Sequence, residues 1–155
     1  MSSEEEVFNE LKNAFGEKLL DHKVQKRRVF IQVSNDVYKD VVKFLVNSKG
    51  IYHLEMMTGT ELKDGIEVMA HMGLDTSISI RTTVSKDEPK LPSICDVTVG
   101  AEFYEREIHD LLGVTFEGHP NPVRFVLSSE WPENVHPLRK SYVTKHNAPL
   151  REGVE

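Results

Sequence analysis

The residues best equipped for chemistry in this 155-residue chain crowd into its last third. Glu105, His109 and Asp110 bring two carboxyls and an imidazole close together, with Arg106 and Glu107 between them. On a helix, Glu105 and His109 would stand one turn apart, as would Arg106 and Asp110. Such a set could run acid–base chemistry in a cleft or donate ligands to a metal. His119, His136 and His146 add imidazoles, in GHPNP, VHPL and KHNA, spaced without any recurrent ligand pattern. The H-E-x-x-H zinc helix is absent, and so are the Gly-rich loops that cradle phosphates. Cys95 is the only cysteine, so the chain can build neither an internal disulfide nor an iron–sulfur cluster. Ser128 and Ser129 lack the G-x-S-x-G elbow of a hydrolase nucleophile. These residues therefore read as an ion-pair ladder on a solvated or interface helix, beside structural histidines, with no metal or cofactor bound by this chain.

A docking role suits the rest of the segment better. Arg139 and Lys140 follow Pro137 and Leu138, a pattern in which an arginine can grip a partner carboxylate while a leucine fills a pocket. Trp131, beside Pro132 in an aperiodic tract, needs a surface to cover it. Elsewhere, 19 basic residues against 25 acidic ones leave a net charge of -6, which argues against a nucleic-acid binder. No apolar run approaches the ~20 residues needed to cross a bilayer, so membrane attachment would come through partner subunits. The lone cysteine and the N-terminus MSSEEEVFNE suit a reducing compartment and no signal peptide.

The elements that must position these residues follow from periodicity. Val7, Leu11, Ala14 and Phe15 recur at helical spacing behind three glutamates, and Gly16 closes that helix. Lys18 to Val24 and Arg28 to Val33 read as strands. Ser34 or Asn35 can cap a second helix whose stripe is Val37, Val41, Phe44 and Leu45. Tyr52 to Thr58, Ile66 to Met72 and Ser77 to Val84 read as further strands, with Gly59 to Gly65 as a turn between the first two. KDEPKLP, residues 86–92, is a break, followed by short helices over Ser93–Val99 and Glu102–Leu112, with Gly113 as left-handed cap. The class is α+β: a two-layer α/β sandwich with a mixed or mainly antiparallel sheet and an extended Pro-rich C-terminal segment. Residues 1–127 would form one domain and 128–155 a docking segment that orders against its partner.

The hallmark E-R-E-x-x-D-L-x-G, then F-x-G-H-P, W-P and P-L-R-K is met by Glu105-Arg106-Glu107, Asp110-Leu111, Gly113, Phe116, Gly118-His119-Pro120, Trp131-Pro132 and Pro137-Leu138-Arg139-Lys140. In these residues the chain resembles the 30-kilodalton subunit family of respiratory complex I, shared with energy-converting membrane-bound NiFe hydrogenases. The resemblance implies a non-catalytic, cofactor-free subunit on the cytoplasmic side of a membrane oxidoreductase complex. It would dock on the large hydrogenase-like catalytic subunit near small iron–sulfur subunits and touch membrane subunits only indirectly. Iron–sulfur clusters and a NiFe centre would belong to partner subunits. The implied interface residues are Glu105, Arg106, Glu107, Asp110, His119, Arg124, Trp131, Leu138, Arg139 and Lys140. Two departures favour the hydrogenase-type, ferredoxin-linked version over quinone-, deazaflavin- or NADH-linked dehydrogenases: Asn121-Pro122-Val123-Arg124 replaces D-L-R-R, and Phe103 stands where tryptophan is usual. A stand-alone soluble enzyme using Glu105, His109 and Asp110 is the competing reading.

Overall fold

The computed structural model describes residues 3–143. Helix α1, Ser3–Phe15, carries Glu4, Glu5 and Glu6 in its first turn, where the helix dipole favours negative charge. Its Phe8 and Leu11 are buried. Strands β1, Leu19–Gln25, and β2, Arg28–Val33, form an antiparallel hairpin. The tight turn between them forces Arg27 to a φ of 61°. That strained residue is anchored at both backbone groups: its N–H donates to Glu4 and its carbonyl accepts from the Ser77 amide.

Helix α2, Tyr38–Lys49, then leads to β3, Leu54–Glu61, β4, Ile66–Met72, and β5, Ser77–Val84. The sheet order is β1-β2-β5-β4-β3, antiparallel throughout except for the parallel β2–β5 pair. Register places Val29 and Ile31 of β2, Ile78 and Ile80 of β5, Val68 and Ala70 of β4, and Met57 of β3 on one face. All are buried in a single core with Tyr38, Val41, Val42 and Leu45 of α2. The opposite face presents Lys23, Gln32, Arg81 and Glu67, so the alternation of residue types along the strands is the alternation of core and solvent. The α+β class with a mixed sheet is therefore what the sequence implied.

Helix α3, Ala101–Leu112, packs on β3. The contact depends on Gly59, which lies within β3 and not in a turn: a methyl there would come within 2.7 Å of the Leu112 side chain. Two further expectations are corrected. Residues 90–92 of the expected break form β6, Lys90–Pro92, which pairs in parallel with β7, Thr115–Glu117. Ser93–Val99 is no helix; the Ile94 amide is held by the Glu105 carboxylate, and the Ile94 carbonyl closes a single turn onto the Val97 and Thr98 amides. Likewise α2 starts after a short 3-10 turn, Asn35–Val37, with no side-chain cap, because the Asn35 side chain is engaged by the Thr82 hydroxyl at 2.5 Å. Beyond β7 the described chain has neither helix nor strand. His146, and the docking segment past residue 143, lie outside the described residues.

Candidate functional site

Of the expected site residues on or beside α3, Glu105, Arg106, His109, Asp110 and His119 turn their side chains inward, whereas Glu107 is exposed. Asp110 is 3% exposed. One of its oxygens accepts the amides of Phe125, Val126 and Leu127 at 2.9, 2.8 and 3.2 Å. Burial pushes the Asp110 carboxyl up, but the three amide donors outweigh it and hold the group below the usual carboxylate range. Arg106 donates to the carbonyls of Val123 and Arg124 at 2.8 and 2.9 Å, and its guanidinium lies 5.0 Å from the Phe125 ring. The expected pairs Glu105–His109 and Arg106–Asp110 do not form: Arg106 pairs instead with Glu102, one turn earlier, at 3.9 Å, Asp110 binds backbone, and His109 bonds the Val114 carbonyl. Glu105, His109 and Asp110 thus each serve a different partner.

The C-terminal end of α3 is sealed from a distance. Helices leave their last carbonyls without intrahelical donors. Here the Gly113 amide takes the His109 carbonyl, with Gly113 in the expected left-handed conformation, φ 76°. His136 then bonds the Asp110 carbonyl at 2.9 Å, the Leu138 amide the Leu111 carbonyl at 3.0 Å, and Arg139 the Leu112 carbonyl at 2.5 Å. The Lys140 amide reaches Glu61 on β3. Arg124 donates to the carbonyls of Ser128 and Trp131, and the indole N–H of Trp131 to Val135 at 2.7 Å. Trp131 is half-buried against Tyr142, so this chain itself covers much of it.

Several apolar side chains remain outside. Phe103, Val123, Phe125, Val126 and Leu138 are each about half exposed, and Glu107 and Lys140 are exposed beside them. The Phe103 and Phe125 rings touch, with centroids 5.2 Å apart and the Arg106 guanidinium within 5.9 Å of both. Of the five apolar residues, only Leu138 stood among the expected interface residues; the exposed aromatic at Phe125 has no periodicity to mark it.

The expectation that the chain offers no site for a metal is overturned. Cys95, Glu105 and His119 bring one ligand atom each within 4.8 Å of one another. Glu105 is fully buried. Its Oε1 accepts the Ile94 amide, its Oε2 lies 3.3 Å from Cys95 Sγ and 4.0 Å from His119 Nε2. Burial raises the Glu105 carboxyl, and it pushes the Cys95 thiol up to about 12. His119 is turned inward by Gly118, φ 82°, with its ring against the Glu102 carbonyl at 3.1 Å and the Asn121 amide at 3.0 Å. Three residues so far apart in sequence carry no spacing motif, which is why sequence alone passes over them.

Residues 31–148 match the family described as respiratory-chain NADH dehydrogenase, 30 Kd subunit. A curated relative from Phocaeicola vulgatus, a subunit of its NADH-quinone oxidoreductase, is 37% identical over 74% of this chain but only 22% of its own length. The chain thus spans about a fifth of that relative. Membrane-bound hydrogenase subunit beta of Pyrococcus furiosus is 29% identical over 90% of this chain and 86% of its own length. Among solved structures, a chain of the membrane-bound sulfane sulfur reductase, an archaeal respiratory membrane complex, superposes with a TM-score of 0.61 at 26% identity, covering 83% of this chain and 75% of that one.

Proposed function

The chain belongs to the respiratory-chain NADH dehydrogenase 30 Kd subunit family, and from that premise we propose that it is a non-catalytic peripheral subunit of an energy-converting NiFe hydrogenase or similar ferredoxin-linked complex. It docks on the large catalytic subunit at the cytoplasmic face of the membrane. No helix among the described residues is long and apolar enough to cross a bilayer. The observation that carries the docking role is the set of exposed apolar side chains along α3: Phe103 against Phe125, with Val123 and Val126 next to it in the chain, and Leu138 at the helix tip. Exposed hydrophobic residues clustered with a stacked arginine fit a hot-spot interface. In this reading Glu107, Leu138 and Lys140 touch the partner, while Glu105, Arg106, Asp110, His119, Arg124, Trp131 and Arg139 hold the surface in shape. The hydrogenase branch is favoured by the near full-length likeness to the Pyrococcus protein.

The test is capture of the large subunit by the tagged chain. Phe125→Ala with Leu138→Ala is expected to weaken capture by ~10–100-fold per residue while leaving monomer stability within about 0.5 kcal/mol. Undiminished capture would remove the patch from the interface. Assaying the native complex decides the branch: hydrogen evolution from reduced ferredoxin supports it, and quinone reduction by NADH overturns it in favour of the type named in the Phocaeicola relative.

A further inference from the structure

A carboxylate fully removed from water is expensive to ionise unless a cation or a proton meets it. Glu105 is such a group, and among the described residues no lysine or arginine pairs with it. Its neighbours are a thiol and an imidazole, the combination that binds zinc. A second oddity lies close by. The Tyr38 hydroxyl is fully buried and has no hydrogen-bond partner among the described residues, near enough to Glu105 for that charge to bear on it. Buried orphan hydroxyls are rare, and a water held beside this one would satisfy it.

We propose that Cys95, Glu105 and His119 form a zinc site that ties α3 to the turn after β6 and to the turn after β7. Thiolate, carboxylate and neutral imidazole together carry two negative charges, so one Zn2+ leaves the buried centre neutral. The donor set of one sulfur, one nitrogen and one oxygen suits zinc better than magnesium or calcium, which take oxygen ligands. Tetrahedral zinc with ordinary bond lengths places its sulfur–oxygen and nitrogen–oxygen edges at about 3.4–3.6 Å. Cys95 Sγ already stands 3.3 Å from Glu105 Oε2. His119 Nε2, at 4.0 Å, must advance by roughly half an ångström and exchange its bond to the Glu102 carbonyl for the metal. It can do so because it rides on an exposed turn, residues 118–122; the neutral ring then carries its proton on Nδ1, and the Asn121 amide that this nitrogen accepts in the metal-free chain turns to solvent. The thiol proton and any carboxyl proton leave to solvent. The Ile94 amide on Oε1 orients the carboxylate, and the fourth position takes a water, for which the Tyr38 hydroxyl is a ready partner.

This site is independent of the docking role, since the free chain should bind the metal. The full chain, stripped with chelator, is titrated with Zn2+ against a chromophoric competitor and separately with Co2+. The expected result is one equivalent of zinc with Kd below about 10 µM, and a cobalt spectrum of tetrahedral intensity with a thiolate charge-transfer band. Cys95→Ser and His119→Gln should each weaken zinc more than about a hundredfold, beyond the loss from a supporting contact. Their thermal unfolding in chelator should match that of the stripped chain, whereas only the natural chain gains Tm on adding zinc. Weaker or superstoichiometric binding, an octahedral cobalt spectrum without the thiolate band, or undiminished zinc in both variants overturns the proposal. Should either variant fail to fold, the cobalt spectrum of the natural chain still decides whether Cys95 is a ligand.

Discussion

Helices α2 and α3 are each twelve residues long and each ends at a left-handed glycine, Gly50 at φ 67° and Gly113 at φ 76°. Their surroundings differ. Helix α2 buries Tyr38, Val41, Val42 and Leu45, and a methyl at Gly50 would meet nothing within 4 Å. Helix α3 buries Glu105 and Asp110 along with its apolar residues, and a methyl at Gly113 would come within 2.6 Å of the His136 ring. Helix α2 is a core element whose end is closed by the two residues that follow it, Gly50 and Ile51. Helix α3 is a spine on which a segment without regular structure is hung, by side-chain charge along its length and by backbone carbonyls at its tip. A left-handed glycine therefore says little about what a helix end is for; the neighbours decide it.

Substitutions in pairs break this comparison most sharply. Asp110→Ala strands three amides that now share one charged acceptor, and should cost about 3 kcal/mol. Exposed Asp40 on α2 changed to Ala should stay within about 0.5 kcal/mol. Urea unfolding measures both, and equal effects would mean that the 125–127 turn is held by something else. Next come the glycines. Gly113→Ala adds backbone strain and a clash with His136, about 2–3 kcal/mol, against about 1 kcal/mol of strain alone for Gly50→Ala. A smaller effect, about 1–2 kcal/mol, is expected of Arg139→Ala, which uncovers the Leu112 and Lys86 carbonyls. Hydrogen exchange should then rise in the last turn of α3 and stay unchanged in α2.

The pH dependence should separate the two buried carboxylates of α3. Asp110 is held below its ordinary value, so the unfolded chain binds more protons there; its contribution is present above the unfolded pKa and is lost as pH falls through the lower folded one. Glu105 is raised, so the folded chain binds more protons; stability declines as pH rises from the unfolded pKa towards the folded one. With chelator present, Glu105→Gln should flatten the decline and leave the acid limb intact, while Asp110→Asn does the reverse. Unfolding midpoints across pH 3–8 read both limbs, and unchanged limbs in either variant contradict the assignment.

Much of the sheet could be read from residue types. Arg28–Val33, Ile66–Met72 and Ser77–Val84 emerge with their observed bounds because alternation reports burial directly. The cap at Gly113 was equally legible. The candidate site was not, for two physical reasons. Charged residues are expected at the surface, whereas Glu105 and Asp110 are buried and satisfied by backbone amides, partners that carry no residue type. Meanwhile the zinc ligands converge only because β6 pairs with β7, each of three residues, and strands that short leave no period to detect. Gly59 did leave a signal, a glycine inside an alternating run, which marks a close approach as well as it marks a turn.

The seal on α3 also has a consequence for how the chain is made. Arg139 lies 27 residues beyond the carbonyl it covers. At ordinary ribosomal speeds of roughly 5–20 residues per second, the helix tip waits some ~1–5 s for its lid to be synthesised. During that interval α3 exists with a bare, electronegative end and with the 123–127 turn only just arriving. Arrival of residues 123–139, and not completion of the sheet, is then the step that commits α3 to its final surroundings.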